Sequence, residues 1–333
     1  MTFTTSLRTK LRIKIEAMLN LTSWFREHDH YLLVTHEKPD LDALGSSMGL
    51  YHSLAAAGKD VQVVYGGGYT RSFRFLPGIG QALREPKPGF QTVISLDCGD
   101  RERVCGVPLD ATIDLNLDHH VTNTMFGAVN LVAERMAATA ELLAVGLPEW
   151  GLPIPREAAE CLLAGILSDT IGFRTNNTTA DTLITATKMM ALGADLHQIY
   201  RKALLTSSVE SLKLWGIGLN RMVCEGRLVY AVLTVQDWKD SAYPGKDDAE
   251  LANLMGFIED VDMAVLIRDI GEDTIKVSWR CAEGLDVSAL ARQFDGGGHK
   301  NASGAKVPGT LDDVQSKVLD ATRQYLKGVT QST

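Results

Sequence analysis

Five short segments of the chain place aspartate or histidine side chains directly after apolar runs. In chain order they are Thr35-His36-Glu37-Lys38-Pro39-Asp40-Leu41-Asp42, Ser95-Leu96-Asp97, Leu117-Asp118-His119-His120, Leu167-Ser168-Asp169 and Gly296-Gly297-Gly298-His299. Imidazole nitrogens together with carboxylate oxygens form a ligand set that suits Mn²⁺ or Mg²⁺ better than Zn²⁺ or an iron–sulfur cluster. Six ligands of this kind exceed the needs of one ion, and hydrolytic enzymes usually use such a set to hold two. The residue types therefore predict a hydrolytic centre with two metal ions.

The first three segments follow stretches that the sequence predicts to be strands. These stretches are Tyr31–Thr35, Thr92–Leu96 and Ala111–Leu117, which are apolar and rich in β-branched residues. In an open parallel α/β sheet, ligands and metals bind beyond the carboxyl ends of the strands. We therefore expect the side chains of the three segments to converge on one cleft.

Each segment also has a simpler structural interpretation. Asp40 and Asp42 are both good helix N-caps, although one cap explains only one of them and leaves His36 unexplained. Asp97 could begin a polar turn instead of facing the cleft. Asp169 ends the predicted helix Pro155–Leu167, where the helix dipole disfavours an anion; either a metal ion or solvent would offset that penalty.

The Asp118-His119-His120 segment indicates a functional site more specifically than the segments with a simple structural interpretation. Two adjacent histidines at a strand end point in different directions, so one can bind metal while the other meets a substrate. Asp118 can then hold one imidazole in the required tautomer. A surface loop would rarely need this combination of residues.

Gly296-Gly297-Gly298-His299 differs from the other segments because its glycines allow backbone N–H groups to approach an anion closely. The segment follows a predicted helix that ends at Phe294, and we expect a turn that can bind phosphate; a flexible turn is the simpler interpretation. Arg280, at the end of a predicted strand, could supply a guanidinium to the same phosphate.

The elements that must position these residues predict an α/β protein with two domains. Strands and helices alternate from Tyr31 to about Leu192, which indicates a parallel sheet covered by helices over residues 1–194. Residues 195–222 are predicted to be a helical linker. Residues 223–333 are predicted to form a smaller α+β domain, with strands Leu228–Val235, Met263–Asp269 and Thr274–Trp279.

Composition excludes several classes of function. A net charge of −8 over 333 residues argues against an extended basic surface for long nucleic acid, but not against short oligonucleotides. No run approaches the ~18 apolar residues of a membrane span. Five scattered cysteines without a Cys-x-x-Cys pair are typical of reduced thiols in a cytoplasmic protein. The sequence leaves the oligomeric state open, and a homodimer is among the assemblies it allows.

Taken in order, the segments resemble a known family. His36-x3-Asp40-x-Asp42, Asp97, Asp118-His119-His120 and Asp169 resemble the four motifs of the DHH phosphoesterase superfamily. The run from Gly296 to Gly304 is similar to the glycine-rich signature of its DHH-associated C-terminal domain; Ser303 stands where that signature commonly has alanine. The length and the glycine-rich element look like the branch of bifunctional nano-RNases (oligoribonucleases) and pAp phosphatases.

The resemblance implies a role for each motif residue. His36, Asp40 and Asp97 would hold one Mn²⁺, and Asp42, Asp97, His119 and Asp169 would hold a second, with Mg²⁺ as the alternative metal. His120 would face the scissile phosphate, with Asp97 and Asp118 as the other catalytic residues. Arg280, His299 and the glycines Gly296, Gly297 and Gly298 would bind the nucleotide.

The activity implied by the resemblance is hydrolysis of very short RNA to mononucleotides, or of 3′-phosphoadenosine 5′-phosphate (pAp) to AMP. Hydrolysis of cyclic or linear dinucleotides is an alternative within the same superfamily. A non-catalytic nucleotide sensor is an alternative from another class, and its expected mark is the loss of a metal ligand, which this sequence does not show.

Overall fold

A computed structural model describes residues 21–69, 71–245 and 247–330, and the chain divides between Thr206 and Ser207 into two compact units. The division falls inside the segment that the sequence assigns to a linker. Helix α5, Leu196–Tyr200, packs on the first unit through Ile199, and helix α6, Val209–Asn220, packs on the second through Leu214.

The first unit is built on a sheet of six strands. They are β1 Tyr31–His36, β2 Val61–Val63, β3 Thr92–Leu96, β4 Val104–Cys105, β5 Leu115–Asp118 and β6 Val129–Val132. Five strands run parallel in the order β2-β1-β3-β5-β6, and the short β4 pairs antiparallel with the end of β1. Every residue of β1 and β3 is buried, because a parallel sheet is covered on both faces. The predicted parallel-sheet α/β fold is confirmed.

Four helices accompany this sheet besides α5. They are α1 Leu41–Ala56, α2 Thr139–Glu149, α3 Arg156–Asp169 and α4 Ala180–Ala191; residues 21–27 are also helical, and Arg201–Leu205 forms a π-helical turn. The helices bury apolar side chains in one core with Leu33 and Ile94 of the sheet. The opposite face of the sheet packs against loop residues in a second cluster that includes Leu32, Val34 and Ile113.

The second unit holds a separate sheet, in the order β11-β12-β10-β9-β8-β7. Its strands are β7 Val223–Glu225, β8 Leu228–Leu233, β9 Met263–Asp269, β10 Thr274–Cys281, β11 Gly297–His299 and β12 Ala302–Pro308. The pair β8–β9 is parallel and the other pairs are antiparallel. Besides α6, its helices are α7 Val235–Ser241, α8 Leu251–Met255, α9 Val287–Arg292 and α10 Leu311–Thr330.

The two faces of the second sheet have different partners. One face packs on α9 and α10 through side chains such as Val277 and Trp279. The other packs on α6 and α8, mainly over β8 and β9, through side chains such as Val229 and Leu266, and Arg280 of β10 contacts Asn253 of α8. On that second face β10 and β12 carry polar residues, alanine and glycine.

The structure differs from the sequence prediction mainly in short elements. Strand β5 starts at Leu115, four residues later than expected, and β4, β7, β11, β12 and α7 were not predicted. Strand β12 contains Gly304, which has low β propensity, so its pairing with β10 rather than its composition makes it a strand.

Two features of the structure relate to the predictions made from composition, which concern membrane spans and cysteines. None of the helices in the described ranges is both long and apolar enough to cross a membrane. All five cysteines are free thiols; Cys98 and Cys161 are buried, whereas Cys224 is exposed.

Small residues allow α1, α2 and α3 to approach closely. A Cβ atom at Gly45 of α1 would lie 2.5 Å from the carbonyl oxygen of Cys161 in α3, which is closer than real Cβ atoms come. A Cβ atom at Gly165 would lie 2.6 Å from the Cβ of Ala140 in α2 and 2.7 Å from Oδ1 of Asp42. Glycine at these positions therefore sets how closely the three helices pack.

We predict that Gly45→Ala destabilises the protein by about 1–3 kcal/mol, because the added methyl group overpacks a backbone contact. The matched control is Gly216→Ala in α6, where an added Cβ meets no atom within 4 Å. That control should be neutral or stabilising by up to about 1 kcal/mol, since alanine is the better helix former. Urea unfolding measures both; equal midpoints for the two variants would contradict the close approach.

Candidate metal centre

Asp40 and Asp42 have different roles at the start of α1. Asp40 is the N-cap, because its Oδ1 accepts the backbone N–H groups of Asp42 (3.1 Å) and Ala43 (3.0 Å). Asp42 is fully buried, and its two oxygens accept the backbone N–H groups of Thr139 (2.7 Å) and Ala140 (3.0 Å). These amides lie in the first turn of α2, where unpaired N–H groups stabilise an anion. The capping interpretation thus holds for Asp40 alone.

Asp97 follows β3 with a backbone φ of 55°, a left-handed conformation that is uncommon outside glycine. Its carboxylate is buried, and Oδ1 accepts a hydrogen bond from the hydroxyl of Thr139 at 2.9 Å. Backbone strain of this kind persists where surrounding contacts hold it, often at functional sites. In this protein the strained backbone places the carboxylate of Asp97 beside the carboxylates that follow β1 and end α3.

The two histidines after β5 have different partners. Nδ1 of His119 lies 3.2 Å from the carbonyl oxygen of Met136, which can only accept, so Nδ1 carries the proton of the neutral ring. The lone pair of His119 is then on Nε2, which lies 3.1 Å from Oδ2 of Asp169, 3.7 Å from Oδ1 of Asp97 and 4.0 Å from Oδ2 of Asp42. A backbone carbonyl that accepts from one ring nitrogen commonly orients a metal-binding imidazole in this way.

His120 instead contacts Asp118. Its Nδ1 lies 2.7 Å from Oδ1 of Asp118, which also accepts the backbone N–H of His119 at 2.8 Å. The amide of Asn123 donates to the other oxygen of Asp118 at 2.6 Å. The side chain of His120 is 40 % exposed against 12 % for His119. The pair therefore offers one buried ligand nitrogen and one accessible imidazole.

The predicted ligands of the first unit come together in three overlapping groups. Within each group the donor atoms lie within 4.8 Å of one another, and the groups are His36, Asp40 and Asp97; Asp42, His119 and Asp169; and Asp97, His119 and His120. Asp97 and His119 each belong to two groups. This overlap is the geometry expected where two cations share ligands.

Buried nitrogen atoms test whether a cation fits this cluster. Nδ1 of His36 and Nε2 of His119 are buried without an aligned hydrogen-bond partner among the residues that the structure describes. A buried polar atom that lacks a partner costs roughly 1–3 kcal/mol, so such atoms are rare unless they have a role. Both atoms lie among carboxylates, and a divalent cation would satisfy them together.

The charges of the cluster favour a cation for the same reason. Burial, together with the neighbouring Asp97 and Asp169, raises the pKa of Asp42 well above its ordinary value. Burial and the carboxylates of Asp40 and Asp169 raise the pKa of Asp97 to about 7. Burial by itself would lower the pKa of His119, but Asp169 and Asp97 raise it to about 9. Without a metal the cluster therefore retains protons that a cation would displace.

The predicted substrate residues of the second unit lie on its sheet. Arg280 and His299 share one face, because both are in register with Ala302 on β12. Gly297–His299 form the edge strand β11 rather than the predicted turn, and phosphate binding by this segment stays a prediction. Gly298 has a φ of 141°, and a Cβ there would lie 2.6 Å from the carbonyl oxygen of Ala302, so the hairpin requires glycine at this position.

Several supporting residues were not identified from the sequence. Thr139, Asn123, Met136 and Gly165 position the aspartates and His119 through contacts described above. Asn253 accepts a hydrogen bond from Nε of Arg280 and donates one to Glu250. None of them has a local signal, because each acts on a residue that is brought near by folding; Thr139 is 97 residues from Asp42 in the chain.

Each of the two units matches a known domain family. Residues 30–166 match the DHH family, N-terminal domain, and residues 225–328 match the DHHA1 domain. The first match contains the ligands of β1, β3 and β5 and ends before Asp169. The second contains Arg280 and the β11–β12 hairpin.

Known proteins resemble the chain over most of its length. The bifunctional oligoribonuclease and PAP phosphatase NrnA of Thermus thermophilus is 33% identical over 300 residues, covering 88% of this chain and 89% of that protein. The protein of the same name from Bacillus subtilis is 27% identical, covering 84% and 90%. The structure of an exopolyphosphatase-related protein from Bacteroides fragilis matches with a TM-score of 0.83 at 26% identity, covering 94% and 96%.

We predict that Asp97→Asn removes most of the stabilisation that Mn²⁺ gives the protein. The wild type should gain about 2.7 kcal/mol at a metal concentration one hundred times its dissociation constant. The variant loses a carboxylate shared by two ligand groups. Thermal unfolding with and without Mn²⁺ measures the gain, and Asp60→Asn, at an exposed aspartate, is the control. An equal shift in Asp97→Asn would contradict the assignment.

We predict that in chelator the stability of the wild type relative to Asp97→Asn falls as the pH rises from about 4 to about 7. The pKa of Asp97 is raised in the folded protein, so folding favours the protonated acid. That contribution is fully present below the pKa of the unfolded chain, about 3.9, and is lost as the pH passes the folded value. Urea unfolding in chelator measures the difference, and a difference independent of pH would contradict the prediction.

Proposed function

Because the chain belongs to the DHH family and is therefore a metal-dependent phosphoesterase, we propose that it hydrolyses very short RNA oligonucleotides to mononucleotides and pAp to AMP. The observation that carries the proposal is the convergence of six histidine and aspartate ligands into groups that overlap at Asp97 and His119. The names of the similar proteins support the choice of substrates, since two of them are described as both oligoribonuclease and PAP phosphatase.

The ligand groups support a pair of Mn²⁺ ions, with Mg²⁺ as the alternative. His36, Asp40 and Asp97 would hold one ion, and Asp42, Asp97, His119 and Asp169 the other. Two nitrogen ligands among carboxylates favour Mn²⁺, because Mg²⁺ binds proteins almost entirely through oxygen. When bound, the cations supply Lewis-acid activation of water and of the phosphoryl group.

His120 is the proposed proton donor to the leaving oxygen. Its hydrogen bond from Nδ1 to Asp118 raises the pKa of His120, so the imidazolium is favoured and Nε2–H is directed away from Asp118. Asp118 stays ionised and can therefore accept this hydrogen bond from His120. Burial by itself would raise its pKa, but the hydrogen bonds from His120 and Asn123 lower the pKa below its ordinary value. Asp118 is thus a positioning residue, and His120 is the acid.

Arg280 is the proposed anchor for a substrate phosphate on the second unit. Its guanidinium is oriented by two contacts: Nε donates to Asn253, and an Nη group donates to the backbone carbonyl of Trp279 at 2.9 Å. A guanidinium has five N–H donors, so two such contacts leave donors for an anion. The neighbouring hairpin carries the exposed residues Gly297, Gly298 and His299, preceded by the partly buried Gly296. We propose these four residues as the other contacts to the nucleotide.

Turnover of the purified protein with Mn²⁺ tests the proposal. The substrates are end-labelled RNA dimers to pentamers, pAp, inorganic pyrophosphate and a cyclic dinucleotide, with chelator and Asp97→Asn as controls. Cleavage of the shortest RNAs and pAp is expected, and Asp97→Asn should lower it by several orders of magnitude, about 10³-fold or more for loss of a shared metal ligand. Activity confined to pyrophosphate or the cyclic dinucleotide would contradict the proposal, and binding without turnover would indicate a sensor.

We predict that His120→Asn lowers kcat by about 10²–10⁴-fold, because the general acid is lost. The asparagine amide retains a donor near Asp118 but has no group equivalent to Nε2. Steady-state kinetics with RNA dimers measures the loss. The thermal shift caused by Mn²⁺ should persist in this variant; if the shift disappears, His120 is a metal ligand rather than the acid.

A further inference from the structure

The turn that follows His120 exposes two apolar side chains beside the proposed acid. Val121 comes directly after His120 and is 72 % exposed, and Met125 is 56 % exposed. Neither belongs to an apolar cluster of the residues that the structure describes. Single exposed apolar residues are common on protein surfaces and by themselves indicate nothing. The position of both residues and the backbone conformation of Met125 distinguish them from such scattered residues.

A chain of three hydrogen bonds joins the backbone of Met125 to the imidazole of His120. The N–H of Met125 donates to Oδ1 of Asn123 at 2.7 Å, and the amide of Asn123 donates to Oδ2 of Asp118 at 2.6 Å. The other oxygen of Asp118 accepts from Nδ1 of His120 at 2.7 Å. The contacts that orient the acid therefore also fix the position of Met125.

The same turn packs closely against His120 through Gly99. The backbone N–H of Thr124 donates to the carbonyl oxygen of Gly99 at 2.9 Å. A Cβ atom at Gly99 would lie 3.7 Å from the Cβ of His120 and 3.7 Å from the Cα of Asn123. The turn and the imidazole are therefore neighbours in space as well as in sequence.

Met125 has a backbone φ of 57°, in the left-handed region that glycine and asparagine adopt more readily than methionine. Methionine therefore costs stability at this position. Its side chain is exposed, so packing within the first unit does not offset that cost. Strain of this kind is concentrated at active sites and ligand-binding sites. The strained backbone and the exposed side chain together indicate that Met125 contacts a ligand.

We propose that Met125 and Val121 contact the base of the nucleoside whose oxygen leaves during hydrolysis. The inference rests on the proposed function, because it takes His120 as the proton donor to the leaving oxygen. When water attacks the 3′-phosphorus of pAp, inorganic phosphate forms, the bond from phosphorus to O3′ breaks, and O3′ takes the proton of His120. The leaving group is AMP. Its adenosine must then lie beside His120, where the two apolar side chains are.

The chemistry of methionine suits a nucleobase. A thioether makes favourable contacts with aromatic rings, with the sulfur about 5 Å from the ring, and the unbranched side chain adapts to rings of different shape. Every base has a π-face, so a contact of this kind tolerates all four bases. This tolerance agrees with the proposed hydrolysis of short RNA to mononucleotides, which requires that any base can leave.

The test compares kcat/KM for pAp with kcat/KM for ribose 3,5-bisphosphate, which has both phosphates but no base. The full-length wild type with Mn²⁺ should prefer pAp. In Met125→Asn that preference should fall about twofold to tenfold, the range for one lost contact between sulfur and an aromatic ring. The loss should appear as a higher KM for pAp rather than a lower kcat, because the base is bound equally before and during the reaction. Adding Val121→Thr should lower the preference further.

Two further variants separate a base contact from a structural role. Met125→Leu keeps an apolar side chain and should retain most of the preference for pAp. Met190→Asn is the matched control, because Met190 is 44 % exposed on α4, and it should show the preference of the wild type. Since asparagine tolerates a left-handed backbone, Met125→Asn should unfold in urea at the same midpoint as the wild type or a higher one.

Product binding provides a measurement that does not depend on turnover. Calorimetry with the protein and Mn²⁺ compares AMP with ribose 5-phosphate. The wild type should bind AMP more tightly, and Met125→Asn should lose most of that difference in Kd. If the wild type hydrolyses neither RNA nor pAp, the proposed function fails, while this comparison still decides whether Met125 contacts a base.

Two results would overturn the inference. One is an unchanged preference of Met125→Asn for the ligands that carry a base. The other is an equal loss of kcat/KM on both bisphosphates, which would mean that Met125 only maintains the turn beside His120.

Discussion

Asp42, Asp97 and Asp169 hold three carboxylates around the single nitrogen Nε2 of His119, and two of them are completely or almost completely buried. Like charges at this distance in a poorly hydrated site repel one another strongly. The protein relieves the repulsion by retaining protons, as the raised pKa values show, or by binding cations. The helices, strands and glycines around the site serve to keep these groups together despite that repulsion.

Helix α2 contributes most to this arrangement. Its first two amides bind Asp42, and the hydroxyl of Thr139 binds Asp97, so one helix end fixes carboxylates that come from two other elements. The contact works because α1 and α3 pack closely, and Gly165 leaves room for the side chain of Asp42. Packing and electrostatics therefore depend on each other: a change that separates these helices also releases the carboxylates.

The second unit is acidic in total but carries several basic residues on one face of its sheet. The chain as a whole has a net charge of −8, yet one face of this sheet gathers Arg268, Lys276, Lys306 and Arg280. A negative total charge limits attraction to long nucleic acid, while a local cationic surface still binds a few phosphates. This combination agrees with the proposed action on small anionic substrates.

The sequence alone determined the class of fold, the strand-end placement of the motifs and the identity of the clustered ligands, because these depend on local periodicity and residue type. It did not determine the hairpin of Gly297–His299, where pairing with β12 outweighs the tendency of glycine to form turns. It also gave no indication of Thr139 or Asn253. Only the tertiary structure decided these, since each contact joins residues on different elements, and register between strands is set by packing rather than by local sequence.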